Sequence, residues 1–319
     1  MRLNAITRKS ALSAILLLIV VLIAAMLRYC HNPFDMELAQ SEFRERTLSL
    51  ILAVMFLLCG GFIEGKMLPR SGLSNGYCTL PIPLYGVLAC GIFVAPNMLA
   101  TAIASFCFAL ALYLLMRSLH RAGEKDSVFF AAMLLGAIVP LLPSSVVLVG
   151  VIPIAVFTLA LSMRQALLLI LGYLLPIFGA SYILWYRGGE FWDFVRNVVS
   201  HLASSHMDMD VVGNFPYVAA AMVALVVVLL VSGVIYSAIR PGKMFMLARV
   251  RRSLHLFVWV FLLTISMVFI PACDISACAI IAVPATILLS FVLNLLPDNP
   301  STIAYWLLLL LFVLHLFFT

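Results

Sequence analysis

Eleven apolar runs separated by short polar connectors organise the 319-residue chain. They cover roughly 11–27, 47–63, 80–95, 98–116, 128–142, 144–162, 165–186, 216–239, 254–271, 275–296 and 302–318. Most approach the roughly 20 residues a helix needs to cross about 30 Å of hydrocarbon. The runs are continuous, not alternating, which excludes the strands of a membrane barrel. Backbone in contact with lipid must satisfy its own hydrogen bonds, so each run predicts a helix. The expected fold is all-α, a polytopic transmembrane bundle of about eleven spans in one domain. Spans one to seven fill 1–186, an outer loop occupies 187–215, and spans eight to eleven fill 216–319.

Two central runs are short. Pro81 and Pro83 open 80–95, and Pro140 and Pro143 close 128–142. Fifteen helical residues reach only about 22 Å, so these segments either cross with difficulty or dip in as hairpins. Gly91–Pro96 and Gly136–Pro140 end similar short runs, and each precedes a longer run ending in Met-Arg, at Met116-Arg117 and Met163-Arg164. Parallel repeats of this kind occur in transporters, although short apolar hairpins also imitate one another. Pro153 and Pro176 fall inside later runs and predict kinks.

Composition agrees with a lipid solvent. Hydrophobic residues make up 65% of the chain and charged residues 10%, against about half and a quarter in soluble domains. The net charge of +6 is spread over connectors, which argues against a nucleic-acid partner. Basic residues collect on the cytoplasmic side of membranes. With the N-terminus inside, only Arg28, Arg44, Arg46, Arg187 and Arg196 of the 19 Lys and Arg fall outside. An odd span count then places the C-terminus outside. The first run follows Arg2, Arg8 and Lys9 but is succeeded by Arg28-Tyr29-Cys30-His31, with no small-residue cleavage pattern, and reads as a retained helix.

Candidate chemistry is sparse. In the outer loop Phe191, Phe194, Val195, Val198 and Leu202 share a helical face, with Trp192 beside it. This predicts an amphipathic helix over 190–204 at the outer leaflet, contacting lipid or a partner, or simply sealing the bundle edge. His201, His206, Asp208 and Asp210 could ligate a metal, but their spacing matches no metal signature. Asp35 and Glu37 follow the first run, where membrane glycosyltransferases using polyprenyl-phosphate sugars often carry an acid acting as base or metal ligand. Any first loop of this length is apt to contain acids. Cys59, Cys90 and Cys107 lie in runs and read as small packing residues. Cys273 and Cys278 flank Asp274 and could pair in an oxidising compartment. No charged residue is expected near the middle of any span, which argues against ion-coupled transport. No phosphate-binding loop, Gly-x-Ser-x-Gly or His-Glu-x-x-His occurs, and no cofactor is expected.

Several marks resemble a family of uncharacterised multi-pass inner-membrane proteins of Bacteroidota, a domain of unknown function. They are Arg70-Ser71-Gly72-Leu73-Ser74-Asn75, Leu84-Tyr85-Gly86, Pro96-Asn97 and the stretch Gly136 to Ser145. The closest is Arg164-Gln165 leading through Leu171-Gly172-Tyr173 and Pro176 to Tyr182 and Tyr186. The resemblance covers about residues 1–210. It implies a bacterial inner membrane with the periplasm outside and gives no catalytic residue; the first-loop acids are not part of its pattern. The expected function is that of a non-catalytic accessory or scaffold component. A periplasmic-face glycosyltransferase and a transporter or lipid flippase stand as alternatives. The expected partners are the bilayer and, beyond it, other membrane proteins or a lipid-linked substrate.

Overall fold

A computed structural model describes residues 10–31, 40–73, 78–89, 97–120, 125–204, 226–228, 248–267, 277–296 and 298–318. Every regular element among them is helical. The helices are α1 (Ser10–His31), α2 (Gln40–Ser71), α3 (Pro81–Leu88), α4 (Met98–His120), α5 (Lys125–Ile138), α6 (Val151–Leu159), α7 (Met163–Tyr186), α8 (Asp193–Ser204), α9 (Ala248–Ser266), α10 (Ala277–Leu295) and α11 (Asp298–Phe318). A 3-10 helix, Pro143–Gly150, leads into α6. The expected all-α class holds. Among the described residues, three helical stretches are long and apolar enough to cross a membrane: Thr47–Ser71, Met98–Ser118 and Met163–Tyr186.

The short runs resolve differently. In the first, Pro81 and Pro83 occupy the opening turn of α3, where a missing N–H costs nothing. Its eight residues rise only about 12 Å, so α3 by itself crosses nothing. In the second, α5 stops at Ile138, two residues before Pro140, and Pro143 starts the 3-10 helix. At the far end Ala160 adopts a left-handed conformation (φ 52°) that closes α6. Ser162 then opens α7 with a reciprocal cap. Its hydroxyl accepts from the Gln165 backbone N–H, and its own N–H donates to Gln165 Oε1 at 3.0 Å.

Glycines set the closest approaches. A Cβ on Gly172 of α7 would stand 2.6 Å from the Phe129 carbonyl oxygen of α5, and one on Gly136 of α5 would collide with the Tyr173 carbonyl oxygen of α7. These two helices make the most extensive contact among the described elements, as small residues allow between membrane helices. A second glycine face belongs to α2. Leu17 of α1 sits over Gly61, Ile82 of α3 over Gly65, and the Tyr85 ring of α3 over Gly60. In the middle lies α10, buried almost without interruption from Ala279 to Leu293 and packed on α2, α3, α4 and α9.

The outside of the molecule is also apolar. On α7, Leu167, Ile170, Leu171, Leu174, Leu175, Phe178, Tyr182 and Ile183 are exposed along one side, while Leu169, Gly172, Tyr173 and Ser181 face inward. On α1 the exposed set is Ile15, Leu18, Ile19, Leu22 and Ile23; on α2 it includes Ile51, Met55 and Phe62. A surface of this kind does not suit water.

Candidate functional site

The amphipathic helix expected after α7 forms, starting three residues later than the sequence pattern suggested. Arg187, Gly188 and Gly189 turn the chain out of α7, with Gly188 at φ 95°. The Glu190 N–H then donates to Asp193 Oδ2 at 2.7 Å, and α8 begins. Arg196 reaches back to Glu190 at 2.8 Å and Asp193 at 3.8 Å. Arg196 and Glu190 are well exposed and Asp193 partly so, so this ion pair fixes shape more than it stabilises.

The apolar side of α8 divides in two. Val198 is buried and Phe194 packs against the core, on the side of α7 and the 3-10 helix. Phe191 stacks on Phe178 of α7 at 6.3 Å between ring centroids and meets Trp192 edge-on at 5.3 Å. Trp192 and Val199 remain more than half exposed and, with Val195, Arg196 and Ser200, line a shallow outward cleft. Leu202 and His201 lie in the last turn of the helix. Phe194 and Val198 therefore turn toward the bundle, while Trp192, Val195 and Val199 line the outward side.

Asp35, Glu37, His206, Asp208, Asp210, Cys90 and Cys273 lie outside the described residues, as do Gly91–Pro96 and all of 216–239 except Val226–Val228. Among the described residues no group of three or more metal-ligating side chains occurs. Cys107 is half-buried, as a packing residue should be, but Cys59 points out of the bundle. Cys78, in the connector before α3, is buried and accepts from Asn294 Nδ2 of α10 at 3.3 Å.

No charged residue is expected near the middle of a span; Glu64 lies off the middle of Thr47–Ser71, toward its end, but is enclosed. The second run ends at residue 63 by hydropathy, yet α2 continues without interruption to Ser71. Glu64 thus lies inside a membrane-length helix, fully buried, and neither carboxyl oxygen has a hydrogen-bond partner among the described residues. Lys66, two residues on, is exposed. Only the tertiary structure separates them, because a run boundary says nothing about which side of a helix is enclosed.

A polar chain runs close by. Ser105 of α4 donates its single hydroxyl proton to the Ala279 carbonyl of α10 at 2.9 Å. The 2.7 Å contact between Tyr85 and Ser105 must then have Tyr85 as donor. The Tyr85 oxygen keeps acceptor capacity, and it lies 2.8 Å from where a Gly60 Cβ would be. Gly60 and Glu64 are one helical turn apart on the same face. Helical side chains lean toward the N-terminus, which carries the Glu64 carboxyl toward Tyr85, and the two are within electrostatic reach.

Compared with family models, curated proteins and solved structures, the chain matches none.

Proposed function

We propose that the chain is a multi-pass protein of a bacterial inner membrane, with its N-terminus cytoplasmic, acting as a non-catalytic accessory or scaffold component. The supporting observation is the continuous apolar exposure of α7, which ends in Tyr182, Trp185 and Tyr186 and passes into the Trp192–Val195–Val199 surface of α8. Aromatic side chains of this amphipathic kind favour the level of lipid headgroups. The α7–α8 corner is then where the protein meets lipid headgroups and a partner helix. In mild detergent the native protein should migrate as an assembly larger than one chain. Trp192→Glu with Val199→Glu should reduce that assembly without lowering the amount of protein in the membrane. A lone monomer with robust catalytic turnover would overturn the reading.

Glu64 favours a second reading, a transporter or lipid flippase, because ion-coupled carriers keep a titratable group within the membrane. Glu64→Gln and Pro140→Ala should then lower flux in reconstituted vesicles at unchanged protein levels; unaltered flux would remove it.

A further inference from the structure

A carboxyl group with two unpartnered oxygens is the least expected occupant of this interior. Leaving a carboxylate there without a counter-charge costs several kcal/mol, so the position requires a positive species. Among the described residues none is supplied. The Glu64 carboxyl oxygens have no hydrogen-bond partner among the described residues. On α2 itself Lys66 is exposed, and the Arg70 guanidinium sits 4.7 Å over the Tyr113 ring of α4. Arg117 of α4 has interactions of its own, and Arg251, Arg252 and His255 of α9 are exposed. The described side chains of α1, α3 and α10 include no cation. Tyr85 is the titratable group that faces Glu64 from α3.

We infer that Glu64 is a reversible proton-binding site, its carboxylate taking one proton from water to form the carboxylic acid and returning it. A metal cation fits the surroundings less well. A hard monovalent or divalent ion needs about six oxygen ligands. Here the notches beside Glu64 are filled by Tyr85, Leu17 and Ile82, each within 2.8 Å of where a glycine Cβ would stand. The neighbouring Ser105 hydroxyl is already committed to Ala279. A proton needs no such room, and the Tyr85 oxygen, beside Gly60 one turn away on α2, keeps acceptor capacity. In this arrangement Tyr85 is a positioning residue: Ser105 and Ala279 fix its hydroxyl, and its oxygen faces the Glu64 turn of α2.

The inference shares with the scaffold reading only the placement of α2 inside the membrane and deepens the transporter reading at Glu64, and its test uses neither a partner nor a flux. The full chain, reconstituted in phosphatidylcholine vesicles, is treated with dicyclohexylcarbodiimide at a series of pH values. This apolar reagent adds to a protonated carboxyl and, after rearrangement, remains as an N-acylurea with no group leaving. Mass mapping of the wild-type protein then identifies the modified residue without a variant. In parallel, infrared spectra follow the carboxylic-acid C=O band. Expected are an adduct on Glu64 that declines as pH rises, a band with the same profile, at least a tenfold loss of adduct in Glu64→Gln, and a displaced profile in Tyr85→Phe. Absence of a Glu64 adduct at every pH, or a band that does not respond to pH, overturns the inference. So does protection by sodium chloride but not by choline chloride, which identifies a metal-cation site instead. If Glu64→Gln fails to accumulate, the wild-type adduct map and band decide the question alone.

Discussion

Tyr85 joins three helices through one hydroxyl. Its ring lies against Gly60 of α2, its proton goes to Ser105 of α4, and Ser105 passes its own to α10. Tyr85→Phe removes the donor but keeps the ring, so packing over Gly60 survives. The loss should be about 0.5–1.5 kcal/mol, the net contribution of one such bond, read as a lower unfolding midpoint in detergent. A loss no larger than that of a surface substitution would mean the bond contributes nothing. Cys78 makes a different residue-level case. Burial pushes its thiol above the usual value, more strongly than the hydrogen bonds from Asn294 and the Leu80 backbone lower it. Because the thiolate is the nucleophile, Cys78 should resist maleimide at neutral pH and react after denaturation. Reaction at an ordinary thiol rate in the folded protein would contradict its placement.

At the level of elements, the joint between α6 and α7 shows how sequence becomes a bend. Ala160 holds a conformation that costs a non-glycine residue about 1–2 kcal/mol. Two residues later the Ser162–Gln165 box fixes the start of α7. Ala160→Gly should therefore stabilise the protein, and Ser162→Ala should destabilise it by about 1 kcal/mol. Opposite signs from two neighbouring small substitutions would be hard to obtain from packing alone, and equal signs would refute this account of the joint. The α5–α7 contact is less forgiving. Gly136→Ala drives a methyl into the Tyr173 backbone, which no rotamer change relieves. An overpacking cost of about 1–3 kcal/mol is expected. The control is Gly179→Ala on α7, where nothing stands within 4 Å of the added carbon; similar losses at both would remove the close approach as the cause.

For the molecule as a whole, α7 supplies the clearest test of placement in a bilayer. Its 24 residues rise about 36 Å, longer than the hydrocarbon layer of about 30 Å. Arg164 and Arg187 flank it, both exposed. A cysteine at Arg164 should be labelled by an impermeant maleimide only when the cytoplasmic face is accessible, and a cysteine at Arg187 only from the opposite side. Labelling of both from one side would mean that α7 does not cross. The same geometry separates two kinds of apolar helix in one fold. α7 turns a whole side outward, whereas α10 is enclosed by other helices. Hydropathy scores them alike, because a leucine facing lipid and a leucine facing protein contribute equally to it.

What the sequence determined is the solvent and the element type. Continuous apolar runs leave the backbone no partners but its own, so helices follow, and Pro81, Pro140 and Pro143 mark where they begin and end. The amphipathic helix after α7 was also legible, since a 3.6-residue period survives in any surroundings. Tertiary structure decided which side of each helix is enclosed. That sorted Phe194 and Val198 inward and Trp192 and Val199 outward, turned Cys59 out of the bundle, and extended α2 past its hydropathy boundary. It also enclosed Glu64 while leaving Lys66 exposed two residues away. The reason is geometric: neighbours two positions apart on a helix face different directions, and only the helices packed around α2 determine which direction is closed to solvent.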